Sequence, residues 1–291
     1  MVDGPRRKGH IKEYDYNGEI KFEGEYLNGE RNGKGKEYEY GKLLFVGEYL
    51  KGKQWNGKLY EPENINIYEI KNGKGFIKKY YYWSELEFEG EYLNGERNGK
   101  GKEYYENGKI SFEGEYLNGE NWNGKLYDPE NINIYEIKNG QGHIKKYSSY
   151  GDLDFEGDYL NGKKNGIGKE YYKSKLIFEG EYLNGEKNGK GKEYYESGQL
   201  LFVGEYLKGK QWNGKLYDPE NINIYEIKKG KGFLKKYNYY NGKLEFEGEY
   251  LNGERNGKGK EYHGNGKLKF EGEYLYGKKI EKEKNIIMIV N

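Results

Sequence analysis

The sequence predicts an all-β protein, an elongated single-layer antiparallel meander of about twelve repeated β-hairpins. Three observations support this fold class. The 291 residues include 47 Gly but no Ala, a composition that disfavours helices. One short motif and its shorter variant together recur at intervals of 20 to 24 residues, which indicates a repeat architecture. Within the motif, successive residues alternate between an aromatic or glycine position and a charged position, the period expected of strands.

The aromatic residues argue that this polar chain is folded. Only 34% of the residues are hydrophobic and 34% are charged, a balance typical of disordered chains. Disordered segments are poor in aromatic residues, however, whereas this chain has 35 Tyr. A repeat array reconciles the two observations, because each unit packs only against its neighbours and a single-layer sheet leaves much of its surface in water.

The recurring motif is Phe-x-Gly-Glu/Asp-Tyr-Leu, which places an aromatic residue two positions before a glycine. It begins at Phe22, Phe45, Phe88, Phe112, Phe155, Phe178, Phe202, Phe246 and Phe270. A shorter variant, Tyr-Glu-Ile-Lys, takes its place at Tyr68, Tyr135 and Tyr225. No linker separates the units, so they predict one continuous array.

Each unit is predicted to form one β-hairpin. Phe22, Gly24 and Tyr26 share one face of the first strand, and a second strand follows at residues 34–38. Asn-Gly dipeptides favour type I′ turns, because both central residues of such a turn need a positive φ. Glycines such as Gly24 leave room for an aromatic ring to lie over the backbone.

A family resemblance rests on the run that begins at Phe22, Phe-Glu-Gly-Glu-Tyr-Leu-Asn-Gly-Glu-Arg-Asn-Gly-Lys-Gly, which resembles the MORN (membrane occupation and recognition nexus) repeat. The resemblance covers nearly all of residues 8–280. The second half of the unit, as in residues 102–109, is similar to the MORN subtype of bacterial antitoxin-like proteins. The resemblance implies a scaffold or interaction module without chemistry of its own. For some members it implies association with acidic phospholipids, and for the bacterial subtype an antitoxin role.

The array has predicted ends and interruptions. The divisions are an N-terminal partial repeat (1–21), a continuous MORN-type repeat array (22–280) and a C-terminal cap or tail (281–291). Variant hairpins are expected near residues 68–80, 135–147 and 225–237. The apolar run Ile286–Val290 is expected to be a last strand or cap. Its alternative is an exposed edge that pairs with a partner or with another copy.

Three of the four Trp occupy one repeat position, at the start of the variant hairpins. Residues 122–138 recur verbatim as residues 212–228. Trp and Tyr dominate interface hot spots, so this position is the candidate partner-binding site. The candidate residues are Trp55, Tyr60, Trp122, Tyr127, Trp212 and Tyr217. The alternative is that Trp fills a gap where a variant hairpin meets a standard one, the verbatim copies being the product of recent duplication.

A second candidate surface comes from lysines that alternate with glycines in the second strand. Backbone N–H groups and ammonium ions in such a segment could hold phosphate, and successive rows would match lipid head groups. The candidate lipid- or phosphate-binding residues are Lys34, Lys36, Lys100, Lys102, Lys190, Lys192, Lys258 and Lys260. Whether the glutamates share this face depends on a one-residue choice of register that the sequence leaves open.

Composition and motifs predict no enzyme, no cofactor and no metal site. Lys and Arg number 50 against 49 Asp and Glu, and a net charge of +1 supplies no field that would attract nucleic acid. Cys is absent, which excludes thiolate metal sites and Cys nucleophiles. His10 and His143 occupy the repeat position of Phe76 and Phe233, so they are predicted to fill space.

These observations predict a non-catalytic repeat scaffold that mediates protein–protein interaction with a protein partner. The alternatives are peripheral binding to an anionic phospholipid membrane through the Lys rows, and antitoxin-like inhibition of a partner protein. No apolar run approaches the ~20 residues of a membrane span, so a cytoplasmic location is expected, with a peripheral place at a membrane as the alternative. The edges of the terminal strands offer a route to oligomers.

Overall fold

The computed structural model describes residues 8–61, 67–81, 85–220, 222–283 and 286–290. Over these ranges the chain forms 26 β-strands and no helix. The strands make four sheets in which neighbours in sequence are neighbours in space, and they pair antiparallel. The predicted all-β antiparallel hairpin repeat is therefore confirmed.

The strands of the first two sheets each number six. The first sheet contains β1 (Lys8–Tyr14), β2 (Ile20–Leu27), β3 (Glu30–Glu39), β4 (Lys42–Leu50), β5 (Lys53–Tyr60) and β6 (Ile67–Ile70). The second sheet contains β7 (Lys74–Tyr81), β8 (Glu85–Leu93), β9 (Glu96–Tyr104), β10 (Ile110–Leu117), β11 (Glu120–Tyr127) and β12 (Ile134–Ile137).

The other two sheets have eight and six strands. The third contains β13 (Gly142–Tyr147), β14 (Leu153–Leu160), β15 (Lys163–Tyr172), β16 (Lys175–Leu183), β17 (Glu186–Tyr194), β18 (Leu200–Leu207), β19 (Lys210–Tyr217) and β20 (Ile224–Ile227). The fourth contains β21 (Gly232–Tyr237), β22 (Leu244–Leu251), β23 (Glu254–Tyr262), β24 (Leu268–Leu275), β25 (Lys278–Glu283) and β26 (Ile286–Val290), the last paired with β25.

The chain forms two compact units. The first unit comprises the described residues up to 142 together with 147–151, and the second comprises residues 143–146 and those from 152 onward. The division falls inside β13. The first unit therefore holds the two six-stranded sheets β1–β6 and β7–β12, and the second holds β14–β26.

A stripe of phenylalanines forms the core on one face of the sheets. The completely buried members are Phe22, Phe45, Phe88, Phe178, Phe202 and Phe246. Phe22 lies edge-to-face with Tyr26 and Tyr49, at centroid distances of 5.8 and 5.1 Å. The packing of the Phe22 ring requires glycine at position 35, because a Cβ at Gly35 would lie 2.7 Å from Phe22. Each buried Phe contributes about 1.5–3 kcal/mol, so a chain poor in hydrophobic residues obtains its core from this stripe.

The two-residue turns between paired strands have the positive φ values of the predicted type I′ turn, whereas longer turns such as residues 15–19 have one positive φ, at Gly18. Asn28 and Gly29 have φ values of 54° and 84°, both positive as that turn requires. The turn at Lys51 and Gly52 is equivalent, with φ values of 50° and 79°. Asparagine at the first position is therefore replaceable, and at the turn between β15 and β16 the glycine is replaced too, by Ser174 with a φ of 60°.

Other Asn-Gly dipeptides lie inside strands instead of at turns, which differs from the prediction. They begin at Asn32, Asn56, Asn98, Asn123, Asn165, Asn188, Asn213 and Asn256. Gly33 has a φ of 102° at a β-bulge, where the register of β3 against β2 shifts. The Oδ1 atom of Asn32 accepts a hydrogen bond from Lys51 N (3.2 Å) in the following hairpin's turn. Because the bulge accommodates the dipeptide, β3 begins at Glu30 and not at residue 34.

The sheet ladder is interrupted at the variant turns. Each turn is closed by one bridge, after which the two strands enter different sheets: Lys71 with Lys74, Lys138 with Gln141 and Lys228 with Lys231. In the first unit Gly73 N donates to Trp55 O (2.7 Å), and Gly73 O accepts from Asn94 N (2.7 Å). These bonds hold the turn against β5 and against the turn after β8, so β7 does not extend the ladder of β6. The result is a corner between two sheets.

Candidate functional site

The predicted Lys rows lie on the face opposite the phenylalanines, together with the glutamates. Lys36 is directly opposite Glu23, and Lys34 is directly opposite Glu48. The other candidate lysines have the same kind of partner: Lys100 with Glu115, Lys102 with Glu89 and Glu113, Lys190 with Glu205, Lys192 with Glu179, Lys258 with Glu273, and Lys260 with Glu247 and Glu271. The register that the sequence left open thus places both signs of charge on one face.

Several of these lysines form ion pairs across the strands. The Nζ–Oε distances are 3.5 Å for Lys36–Glu23, 3.0 Å for Lys102–Glu113, 3.2 Å for Lys192–Glu179 and 3.2 Å for Lys260–Glu271. Exposed pairs of this kind contribute about 0–1 kcal/mol to stability. Their larger effect is on the surface potential, because each Lys that could attract an anion has a carboxylate beside it.

Tyrosines keep the outer glutamates ionised. The hydroxyl of Tyr38 donates to Glu23 (3.1 Å) and lowers the pKa of that carboxyl, to which Lys36 also contributes. Glu179 has the same arrangement with Tyr194 (2.7 Å), and there too the tyrosine hydrogen bond is the main cause of a lowered pKa. The outer face therefore keeps alternating charges at neutral pH.

A groove runs between the charged rows, and glycine backbone forms its floor. In the first sheet its volume is about 440 Å³, with Gly24, Gly35 and Gly47 beneath and Lys34 and Lys36 at the sides. The third sheet has an equivalent groove of about 520 Å³. Because the floor has no side chains, the grooves are walled by the aliphatic parts of Lys and Glu.

The candidate tryptophans lie at the variant turns and are half-buried. A Cβ at Gly73 would lie 2.9 Å from Trp55, and one at Gly230 would lie 2.7 Å from Trp212. The carbonyl of Trp122 accepts the Gly140 N–H (2.7 Å), as the Trp55 carbonyl does at its own turn. The rings therefore pack on turn glycines while part of each ring stays accessible. Both the partner-binding role and the gap-filling role remain predictions.

The three candidate tyrosines are also half-buried and lie at the ends of the strands that carry the tryptophans. Tyr60 lines a cavity of about 380 Å³ at the corner of the first unit. The carbonyls of Tyr127 and Tyr217 accept hydrogen bonds from the hydroxyls of Tyr105 (2.5 Å) and Tyr195 (2.8 Å). Their backbone is thus fixed by a preceding repeat.

Sequence reasoning missed the pair of exposed isoleucines that follows β11 and the equivalent pair that follows β19. Ile132 is 76% exposed and Ile134 is 52% exposed. Asp128 braces their loop, because its carboxylate accepts hydrogen bonds from Ile132 N (2.8 Å), Asn133 N (3.0 Å) and Asn133 Nδ2 (2.5 Å). The available signal was Ile in an otherwise polar loop, within the segment that recurs verbatim.

In the second unit Asp218 makes the equivalent hydrogen bonds, and residue 221 of that loop lies outside the described ranges. Asp218 accepts from Ile222 N (2.8 Å), Asn223 N (3.1 Å) and Asn223 Nδ2 (2.5 Å). Ile222 is 72% exposed and Ile224 is 52% exposed. At the first variant turn, Glu61 stands in place of the aspartate and binds the hydroxyls of Tyr68 and Tyr80; residues 62–66 of that loop lie outside the described ranges.

The histidine position on the outer face is exposed. Phe76 and Phe233 are 50% and 55% exposed, so the prediction that this position fills space is wrong. His143 Nδ1 lies 2.8 Å from Asp158 Oδ1, with both side chains largely in solvent. Across the described ranges, no group of three or more His, Asp or Glu is placed to hold a metal ion, and no helix could cross a membrane.

Comparison with known proteins gives a family match for part of the array. The family model for the MORN repeat matches residues 22–38, 88–110, 155–176, 178–200 and 246–268. Each matched segment lies on a Phe-x-Gly hairpin, and the variant turns lie between matches. No curated protein matches the chain.

Proposed function

Because the chain is a MORN-repeat protein, we propose that it is a non-catalytic scaffold that binds partner proteins through its variant modules. A variant module is defined here as residues 122–138 in the first unit and residues 212–228 in the second. MORN repeats are found in scaffolds that bind proteins or membranes. The proposal assigns the binding to the modules and leaves the Phe-x-Gly hairpins to position them.

The observation that carries the proposal is the braced, apolar loop of each module. A loop fixed by three hydrogen bonds to a buried carboxylate loses little conformational freedom on binding, which favours affinity. Ile132 and Ile222 expose apolar surface at the same place in two units, and an apolar surface held in water by the fold is typical of an interaction site.

Trp122 and Trp212 supply the second element of each module. Half-buried Trp rings next to exposed aliphatic side chains resemble the composition of interface hot spots. Packing against the turn glycine fixes each ring, so the accessible part needs no further ordering. The position of the Trp rings therefore supports the proposed partner binding in addition to the exposed loop.

The test replaces the exposed isoleucines of the loops and keeps Asp128 and Asp218, whose carboxylates hold the loops in place. We expect Ile132→Asp together with Ile222→Asp to abolish capture of cross-linked partners from the native host, because a charge replaces the apolar contact. Leu183→Asp is the matched control, since Leu183 is 50% exposed and lies outside the modules. Equal partner recovery by the double variant and the control would exclude the module loops. Trp122→Ala with Trp212→Ala separates the contribution of the rings.

Peripheral binding to an anionic membrane remains a second candidate, favoured by the exposure of Lys34 and its equivalents. The glutamates opposite them oppose it. Flotation with anionic vesicles, compared with neutral vesicles at low and physiological salt, tests the idea. If the Lys rows bind lipid, changing Lys34, Lys36, Lys100 and Lys102 to Glu removes flotation; flotation that survives the change assigns lipid binding elsewhere.

A further inference from the structure

Each unit contains a cavity at the corner between its two sheets, and the two cavities share equivalent lining residues, although Arg31, Glu39 and Glu87 line the first cavity as well. The corner cavity of the first unit is about 380 Å³ and includes Glu37, Tyr49, Lys53, Gln54, Lys79 and Tyr92. The corner cavity of the second unit is about 210 Å³ and includes Glu193, Tyr206, Lys210, Gln211, Lys236 and Tyr250. Residues of both sheets are needed to form either lining, so the corner itself creates the cavity.

Most charges around the second cavity are already paired. Lys210 Nζ lies 2.6 Å from Glu254. Glu193 accepts hydrogen bonds from Lys187 (3.0 Å) and from Gln211 Nε2 (2.8 Å). These groups form the wall, and their hydrogen bonds fix its shape.

Lys236 is the exception. Among the described residues no carboxylate lies within 4 Å of its Nζ, which is 5.6 Å from the ring centroid of Tyr250. In the first unit, Lys79 Nζ lies 5.3 Å from the ring centroid of Tyr92 and forms no ion pair with the described residues, although Glu39 interacts with it electrostatically. Burial lowers the pKa of Lys236; nearby Glu193 raises it and Arg255 lowers it further. A negatively charged ligand in the cavity would therefore stabilise the charged form of Lys236.

Two polar atoms in the same wall lack partners. The Oε1 atom of Gln211 is buried and accepts no hydrogen bond from the described chain. Tyr206 is 4% exposed, and its hydroxyl makes no hydrogen bond of acceptable geometry, although Glu193 and Gln211 are close. Leaving a buried polar group unpaired is unfavourable, so the wall favours a ligand that offers both an acceptor and a donor.

We propose that the corner cavities bind a small anion that also carries a hydroxyl group, such as hydrogen phosphate or a 2-hydroxycarboxylate. Lys236 contacts the charge, the Tyr206 hydroxyl donates to an anion oxygen, and Gln211 Oε1 accepts the ligand's hydroxyl. A cavity of about 210 Å³ holds roughly seven water volumes of ~30 Å³, which suits a ligand of about six heavy atoms. Lys79, Tyr49 and Gln54 occupy the corresponding positions in the first unit, but the Tyr49 hydroxyl there already donates to Glu37 (3.1 Å), so binding should be weaker in that cavity. The proposal is independent of the scaffold function.

Calorimetric titration of the full chain, at fixed ionic strength, tests the ligand class. Inorganic phosphate and lactate should bind, whereas propionate, which is lactate without its hydroxyl, should bind at least tenfold more weakly. Binding of phosphate but not lactate identifies phosphate as the source of the chemistry, and the reverse identifies carboxylates. Equal binding of lactate and propionate, or no binding of any of these anions, overturns the proposal.

Variants locate the binding. Lys236→Met should remove the second-unit site, and adding Lys79→Met should abolish binding; Lys58→Met, an exposed lysine on the outer face, is the control. Gln211→Leu should erase the preference for lactate at the second-unit site, so it is made with Lys79→Met. In the unmodified chain, phosphate should protect Lys236 from acetylation, read by mass spectrometry, and should not protect Lys58. Absence of protection overturns the assignment even if a variant fails to fold.

Discussion

Glycine at the bulge of β9 is required for two separate reasons. Gly99 has a φ of 100°, which side chains rarely adopt, and a Cβ there would overlap the carboxylate of Glu91. That carboxylate accepts a hydrogen bond from Lys100 N (2.9 Å), so it cannot move aside without losing a contact. Backbone conformation and side-chain packing therefore select the same residue.

Replacing this glycine should be costly. We expect Gly99→Ala to lower the free energy of unfolding by about 1–3 kcal/mol, through strain at a positive φ and displacement of Glu91. Gly264→Ala is the control, because a Cβ at Gly264 meets nothing within 4 Å and its φ is not in the left-handed region. Urea unfolding followed by fluorescence measures both variants. Equal stability of the two would contradict the account.

The aspartates that brace the exposed loops should make stability depend on pH. Burial raises the pKa of Asp128, but hydrogen bonds from Asn133 and Ile132 outweigh it and hold the pKa below its ordinary value of 3.8. Asp218 has a lowered pKa for the same reasons. A folded-state pKa below the unfolded one means that the ionised carboxylate stabilises the fold above pH 3.8, and that the contribution is lost as the pH falls.

We therefore expect Asp128→Asn with Asp218→Asn to melt at a lower temperature than the parent at pH 7. The difference should shrink as the pH falls below 3.8, where the parent also loses its carboxylates. Asp154→Asn is the control with the opposite sign, because burial and Asp152 raise the pKa of Asp154, so its removal should not destabilise at pH 7. A pH-independent difference would rule out the carboxylates as the cause.

At the scale of the strand, two lysines of β17 show how position decides the value of a charge. Lys187 lies 4.1 Å from the centroid of the Phe178 ring and bridges Glu170 (3.4 Å) and Glu193 (3.0 Å). Lys192, on the other face, pairs with Glu179 (3.2 Å) and is 52% exposed, against 21% for Lys187. The inner lysine combines cation–π contact with two carboxylates in a partly desolvated place.

We expect Lys187→Met to lower the free energy of unfolding by about 1–3 kcal/mol, since it removes the cation–π contact and leaves Glu170 with Lys164 and Glu193 with Gln211 as their remaining partners. Lys192→Met should change it by about 0–1 kcal/mol. Both variants lose one Lys from the same strand, so denaturant unfolding compares them directly. A larger loss for Lys192→Met would show that the outer ladder, and not the inner network, stabilises the strand.

The strands were largely predictable, and their interruptions were not. The alternation around Phe22 gives the buried face correctly, because period-2 patterning is a local property of a strand. The Asn-Gly dipeptides that begin at Asn28 and Asn32 are identical in sequence, yet the first lies at a turn and the second at a bulge. That difference depends on pairing with another strand. The corner likewise depends on Asn94, which is far from Gly73 in sequence.

The candidate site was predicted only in part, for the same reason. The variant modules are visible as verbatim copies, and so the tryptophans are found. The exposure of Ile132 follows from hydrogen bonds to Asp128, and the corner cavity requires two sheets to meet. Neither has a local signature in composition or spacing.

At the scale of a whole unit, packing is between neighbouring strands. Phe22 contacts the rings of Tyr26 and Tyr49, which belong to the same strand and to the second strand along. In an array of this kind, stability is close to a sum of repeat and neighbour contributions. A local defect should therefore remain local.

We expect Phe22→Ala to cost about 3–5 kcal/mol and to accelerate amide hydrogen exchange in β1–β4. Exchange in β10–β12 of the same unit should change little, because those strands pack on other phenylalanines. Exchange mass spectrometry with peptide resolution measures both regions. Uniform acceleration across the first unit would show that it unfolds as one cooperative block.

The asparagine at the bulges of β9 and β17 also bears on how such a chain can grow. Asn98 Oδ1 accepts from Asn118 N (3.2 Å), and Asn188 Oδ1 accepts from Lys208 N (3.2 Å), so one repeat holds half of a contact that its successor completes. Recombination that adds or removes a whole repeat keeps each asparagine Oδ1 paired with a backbone N–H of the next turn. A break inside a repeat leaves such an N–H group without its acceptor. The array is therefore expected to change in length by whole repeats. Unequal recombination between equivalent repeats leaves identical segments such as 122–138 and 212–228.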